Sequence, residues 1–237
     1  MSTNYRFYNN YKDLNIKKET VTIEKEMWEI WGIDKSQIKA VEVVYIPETV
    51  TSIGAGAFSD FINMKTVKIT NNKYGEQCSV CLKSKLETIG NNAFEGCSAL
   101  VNIEIPESVT SIGEEAFQGC SSLKTITIPD KVKIINKHTF NGCMLLSIVN
   151  IPETVTSIGE GAFGNCNSLK SIIIPNNVTE IGDSAFAGCS ALKTLVIQGG
   201  VTIIGKYAFE RCSSLTTIVI PDSVTSIGDG AFNECRV

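Results

Sequence analysis

From Val41 onward the chain alternates apolar and polar residues in short runs, such as Leu123-Lys-Thr-Ile-Thr-Ile128. Period-two alternation over so few residues predicts a short strand with one face buried. Most runs end in proline, followed by valine and isoleucine at wider spacing, then glycine, then Ala-Phe, then Gly-Cys. One unit reads Leu-x-x-Ile-x-Ile-Pro-x-x-Val-x-x-Ile-Gly-x-x-Ala-Phe-x-Gly-Cys-x-x. Proline stops each strand because it has no N–H for a neighbouring ladder. Val132, Ile135 and their equivalents turn inward on the return stretch. The glycines Gly113, Gly159, Gly182, Gly205 and Gly228 suit a tight bend of positive φ. The x-x-Ala-Phe segment predicts a single helical or 3₁₀ turn, with the phenylalanine filling the interior.

The unit recurs. Phe58, Phe94, Phe117, Phe140, Phe163, Phe186, Phe209 and Phe232 mark it, 23 residues apart after Phe94 and 36 before it. All six prolines (Pro47, Pro106, Pro129, Pro152, Pro175, Pro221) share one column. Seven of nine cysteines (Cys97, Cys120, Cys143, Cys166, Cys189, Cys212, Cys235) share another. A 23-residue unit cannot bury its apolar face alone, whereas stacked copies can. About eight coils at roughly 4.8 Å spacing give a rod about 40 Å long. The fold expected is therefore a repeat solenoid with a parallel β-sheet on one face and short turns elsewhere.

The segment Leu169 to Cys189 (LKSIIIPNNVTEIGDSAFAGC) resembles the BspA-like, or Treponema-pallidum-type, leucine-rich repeats, and the same pattern spans every copy. The resemblance implies a right-handed leucine-rich-repeat coil stack. It also implies a surface or secreted protein that adheres to host matrix proteins, cells or other microbes.

Three regions depart from the repeat. Residues 1–40 do not repeat, and the solenoid runs from 41 to 237. Met27, Trp28, Ile30 and Trp31 have the spacing of one face of a short helix, which predicts an N-terminal cap over the first coil. A tryptophan pair exposed as a binding anchor is the alternative. An insertion at about 71–85 carries Cys78-Ser-Val-Cys81, which has the spacing of half a zinc site or a redox pair. With the single histidine, His138, two coils away, a plain loop with thiols or a local disulfide is favoured over metal. At the other end the chain stops in mid-coil at Cys235-Arg-Val237, so unpaired edges and end-on self-association are expected.

Composition narrows the function. The chain has 237 residues, 43% hydrophobic and 19% charged, which supports a continuous core. A net charge of −4 without basic blocks argues against nucleic acid. No apolar run is long enough to span a membrane. Neither a signal peptide nor a lipid anchor is visible, so location rests on the resemblance, which points to the cell surface or secretion. The stacked cysteines point the same way rather than at one another, and buried reduced thiols are expected. Gly200-Val-Thr-Ile-Ile-Gly205-Lys206-Tyr207 resembles a phosphate loop but lacks the serine or threonine that would hold Mg²⁺. His138 is expected on the surface, and no catalytic constellation is found. Asn177-Val-Thr179 fits a glycosylation sequon. A non-enzymatic protein without cofactors is therefore expected.

Function is left to the outward strand positions. One column reads Tyr45, Lys68, Glu104, Thr127, Asn150, Ile173, Val196 and Val219, and its neighbour includes Ile148. Polar residues in the first half give way to Ile148, Ile173, Val196 and Val219 in the second. A contiguous apolar row on a sheet face predicts a protein contact, although β-branched residues also favour strands for their own sake. Tyr45, Ile148, Ile173, Val196 and Val219 are the candidate binding residues. The expected partner is a protein ligand of the host-matrix or cell-surface kind, with self-association through the sheet face or the last coil as the alternative.

Overall fold

A computed structural model describes residues 5–8, 12–16, 20–69 and 84–236. They form a stack of coils whose alternating runs line up as parallel strands on a front face. The front strands are β2 (Asp13–Ile16), β4 (Val43–Ile46), β6 (Thr66–Ile69), β8 (Asn102–Ile103), β10 (Thr125–Thr127), β12 (Ile148–Asn150), β14 (Ser171–Ile174) and β16 (Thr194–Ile197). They divide into a sheet reaching β8 and the pairs β10–β12 and β14–β16. Strand β1 (Tyr5–Tyr8) adds antiparallel to β2 at the first edge.

The proline column ends these strands by the expected mechanism. Each proline carbonyl instead accepts the N–H three residues on, as Pro129 does from Val132 at 3.0 Å and Pro175 from Val178 at 3.1 Å. Gln198 occupies that column without a proline ring. Its N–H donates to the Ile174 carbonyl at 3.1 Å, which carries the β14–β16 ladder one step further.

The return stretch forms a second sheet where the sequence predicts only turns. Two-residue strands pair in parallel, from β3 (Thr22–Ile23) through β5 (Ser52–Ile53) and β7 (Thr88–Ile89) to β9 (Ser111–Ile112). The ladder resumes with β11 (Ile134–Ile135), β13 (Ser157–Ile158), β15 (Glu180–Ile181), β17 (Ile203–Ile204) and β18 (Ser226–Ile227). The interruption falls where Asn136 replaces the repeat glycine. Gly113 and Gly159 donate their backbone N–H to Ile89 and Ile135, whereas Asn136 reaches the Ile112 carbonyl with its side-chain amide at 2.6 Å.

The glycine column therefore has a different cause from the one expected. None of Gly113, Gly159, Gly182, Gly205 and Gly228 has a positive φ. A Cβ on Gly182 would stand 2.7 Å from both Glu160 N and Gly159 C, so close approach of the preceding coil excludes a side chain. Left-handed backbone lies elsewhere, in two columns per coil. Asn92, Glu115, His138, Ser184 and Tyr207 share the first with Gly56, Gly161 and Gly230. Asn165, Arg211 and Glu234 share the second with Gly96, Gly119, Gly142 and Gly188. These conformations interrupt the predicted helical turn before and after Ala-Phe. The phenylalanine N–H bonds across coils instead, as Phe94 does to Ala116 and Phe163 to Ala185.

The core is a set of side-chain ladders. Successive phenylalanine rings from Phe58 to Phe232 stack 5.2–5.6 Å apart with planes within 14° of parallel. Beside them each column cysteine donates its thiol to the phenylalanine carbonyl of the preceding coil, from Cys97 to Phe58 through Cys235 to Phe209. At the first coil α1 (Met27–Ile30) places Trp28 against Phe58 and Phe61. The four apolar residues there do not share a face, because Trp28 is buried and Ile30 is 77% exposed. The helix α2 (Lys35–Ala40) follows, opened by a capping box between Asp34 and Gln37.

Candidate functional site

The front sheet presents its outward residues at coil spacing. Strands β14 and β16 match residue for residue, which sets Ser171 beside Thr194 and Ile173 beside Val196. Their partners in alternation, Ile172, Ile174, Leu195 and Ile197, are buried. Ile173 and Val196 are consequently held outward, at 56% and 43% exposure, by the same pleat that fills the core. Ile148 lies one coil earlier on β12 and is 64% exposed. Val219, one coil later, is 80% exposed, in a segment without strand pairing among the described residues.

Tyr45 does not join this group. It sits on β4, half-buried, with the Lys68 ammonium 5.4 Å above its ring, and three further front strands separate it from β12. Nearby, Glu42 lies between Lys12 at 2.7 Å and Lys65 at 2.8 Å. Hydrogen bonds from those two ammonium groups, Lys12 first, hold its carboxyl down to about 2. The first half of the face is thus charged and internally paired, and the second half is apolar.

Sequence columns miss part of the apolar surface. Met144 and Leu145 are exposed just before β12, in the same coil as Ile148. They replace the small or polar pairs Ser121-Ser122 and Asn167-Ser168 of the adjacent coils, and that substitution is the signal that could have found them. On the second sheet Ile134 and Ile203 are also exposed, but the intervening coils carry Ser157 and Glu180 there.

The chemical candidates resolve individually. His138 adopts a left-handed backbone and is half-buried, with its ring over Gly161, where a Cβ would stand 2.1 Å from Nδ1. Its Nε2 lies 3.8 Å from one oxygen of the Glu160 carboxylate, whose other oxygen pairs with the Lys137 ammonium at 2.8 Å. In the phosphate-loop lookalike the backbone donors are already used, Gly205 by the Ile181 carbonyl and Lys206 by the Asp183 carboxylate, both at 2.7 Å. The column thiols are free, and burial pushes those of Cys143 and Cys189 up to about 12. They are therefore poor nucleophiles and poor metal ligands. Cys78 and Cys81 lie outside the described residues. Among the described residues no cluster of three His, Cys, Asp or Glu side chains is placed to hold a metal ion. Among the described residues no helix is long and apolar enough to cross a membrane.

Parallel coils, a leucine-rich interior and a side-chain ladder per column define a leucine-rich-repeat solenoid. The sequence matches the family model described as BspA type leucine rich repeat region over residues 35–148, 73–192 and 133–237, and the chain belongs to that family. A leucine-rich-repeat protein of T. pallidum has a similar structure, with a TM-score of 0.64 and 25% identity over 98% of this chain and 86% of that one. A leucine rich cell surface protein from Faecalibacterium prausnitzii A2-165 shares the fold, with a TM-score of 0.52 and 24% identity over 98% of this chain and 85% of that one. No curated protein matches the chain.

Proposed function

We propose that the chain is a protein-binding module of the adhesion type, without catalysis, and that it engages its ligand through the second half of the front sheet. The observation that carries this reading is the outward pair Ile173 and Val196 on matched strands, extended by Ile148 and Val219. Burying such a row on a partner gains about 25 cal/mol per Å² of apolar surface removed from water. The pleat supplies the rigidity that limits the ordering cost of binding. Membership in the repeat family and the cell-surface relative support a surface or secreted setting, with a host matrix or cell-surface protein as the ligand class.

The test is the double variant Ile173→Asp/Val196→Asp, both substitutions on the solvent side of the strands. Its circular dichroism is expected to match the parent, with a melting temperature lowered by the two carboxylates now side by side, while capture of matrix or cell-surface protein is lost. Undiminished capture by the folded variant would refute the assignment. A concentration-dependent mass in light scattering, lost in the same variant, would make the ligand a second copy of the chain.

A further inference from the structure

The front-strand segments 123–128, 146–151, 169–174, 192–197 and 215–220 contain Lys124, Lys170 and Lys193 and no acidic residue, in a chain whose net charge is −4. Each of these lysines immediately precedes a front strand, so positive charge lines the entry edge of the strands that carry the apolar row. Lysines elsewhere near the front face have partners: Lys65 is held by Glu42, and Lys68 lies over Tyr45. Among the described residues Lys124, Lys170 and Lys193 have no carboxylate within ion-pair distance. Lys170 and Lys193 stand on successive coils, with the Lys193 N–H bonded to the Lys170 carbonyl at 2.9 Å, and both are exposed. Two like charges on coils about 4.8 Å apart repel one another.

On this evidence, and resting on the reading of the face as a docking surface, we infer that the ligand segment is an acidic polypeptide stretch bearing apolar side chains. Its carboxylates would meet Lys170 and Lys193, which stand just before β14 and β16, and its apolar groups would cover Ile173 and Val196, three residues or about 10 Å further along the chain. The pairing would supply both orientation and discrimination against basic partners. A sulfated polysaccharide could answer the lysines but has no side chains to cover the apolar row, so a polypeptide is favoured.

Fluorescence anisotropy with three labelled probes tests the inference: a short peptide alternating glutamate and leucine, the same peptide with glutamine for glutamate, and heparin. The glutamate peptide should bind the full chain, weaken as salt rises, and weaken about tenfold in Lys170→Gln/Lys193→Gln. The glutamine peptide should bind about tenfold more weakly than the glutamate peptide. Equal binding of the two peptides overturns the charge inference while leaving the docking face standing. Binding of neither peptide, or of heparin alone, overturns it as well. Loss of glutamate-peptide binding in Ile173→Ser/Val196→Ser, with heparin unaffected, would support the combined apolar and acidic chemistry.

Discussion

Trp28 lies 5.4 Å from Phe58, centroid to centroid, with the ring planes inclined by 44°. Every later neighbour in the aromatic ladder is nearly parallel, so this contact is where the stacked phenylalanine rings give way to the tryptophan of α1. Trp28 also packs edge-on against Phe61 and Trp31 and donates its indole N–H to the Ala57 carbonyl. The first ring of the ladder is thereby closed by an aromatic residue rather than by water.

Trp28→Ala should cost about 3–5 kcal/mol, because it removes a buried aromatic side chain and leaves the Ala57 carbonyl without that donor. Urea denaturation would show the loss as a lower midpoint. A change below about 1 kcal/mol would mean that Trp28 does not support the first ring of the ladder.

Glycines of the two kinds should respond differently. Gly182→Ala brings a Cβ to 2.7 Å from the preceding coil's backbone and should destabilise by about 1–3 kcal/mol. Arg211 occupies a left-handed position that glycine fills in the preceding coil, at Gly188. Arg211→Gly should stabilise by about 1 kcal/mol, since the exposed Arg211–Glu234 pair it removes contributes little. Thermal melts of the two variants check the signs, and stabilisation by Gly182→Ala would contradict the close-approach account.

Buried thiols make stability depend on alkaline pH. The Cys143 thiol titrates at about 12 in the folded chain, raised by burial, against an ordinary value of 9.0. Its contribution is therefore fully present below pH 9.0 and is lost as pH rises towards the folded value. Over that interval each such thiol costs about 1.4 kcal/mol per pH unit. Denaturation under reducing conditions from neutral pH upward should give a shallower alkaline decline in Cys143→Ala than in the parent. Identical slopes would show that the ladder thiols ionise freely in the folded state.

Much of this architecture is legible in the residues. The phenylalanine, cysteine and proline columns encode the coil because each side chain repeats one packing contact. Gln198 shows the proline rule by exception, since its N–H adds the bond that proline would withhold. The role of the glycine column is hidden because a sequence records a missing side chain but not whether φ or a neighbouring backbone requires it. Glu115, His138, Tyr207 and Arg211 give no sign of left-handed backbone, since inter-coil hydrogen bonds override their local preference. Two-residue strands such as β15 are too short for alternation to show, so the second sheet emerges only from stacking. At the candidate face the pleat makes Ile173 and Val196 readable, while Tyr45 shares their column but lies too far along the stack to act with them.

Site-specific photo-crosslinking gives the most direct test of the binding face. A photoreactive residue placed at Ile173 on the front sheet, or at Glu180 on the second sheet of the same coil, would be exposed to the bound partner and the adducts identified by mass spectrometry. Both positions are solvent-exposed, so only the geometry of binding distinguishes them. The account predicts a protein adduct from position 173 and none from position 180. Adducts from 180 with none from 173 would contradict it.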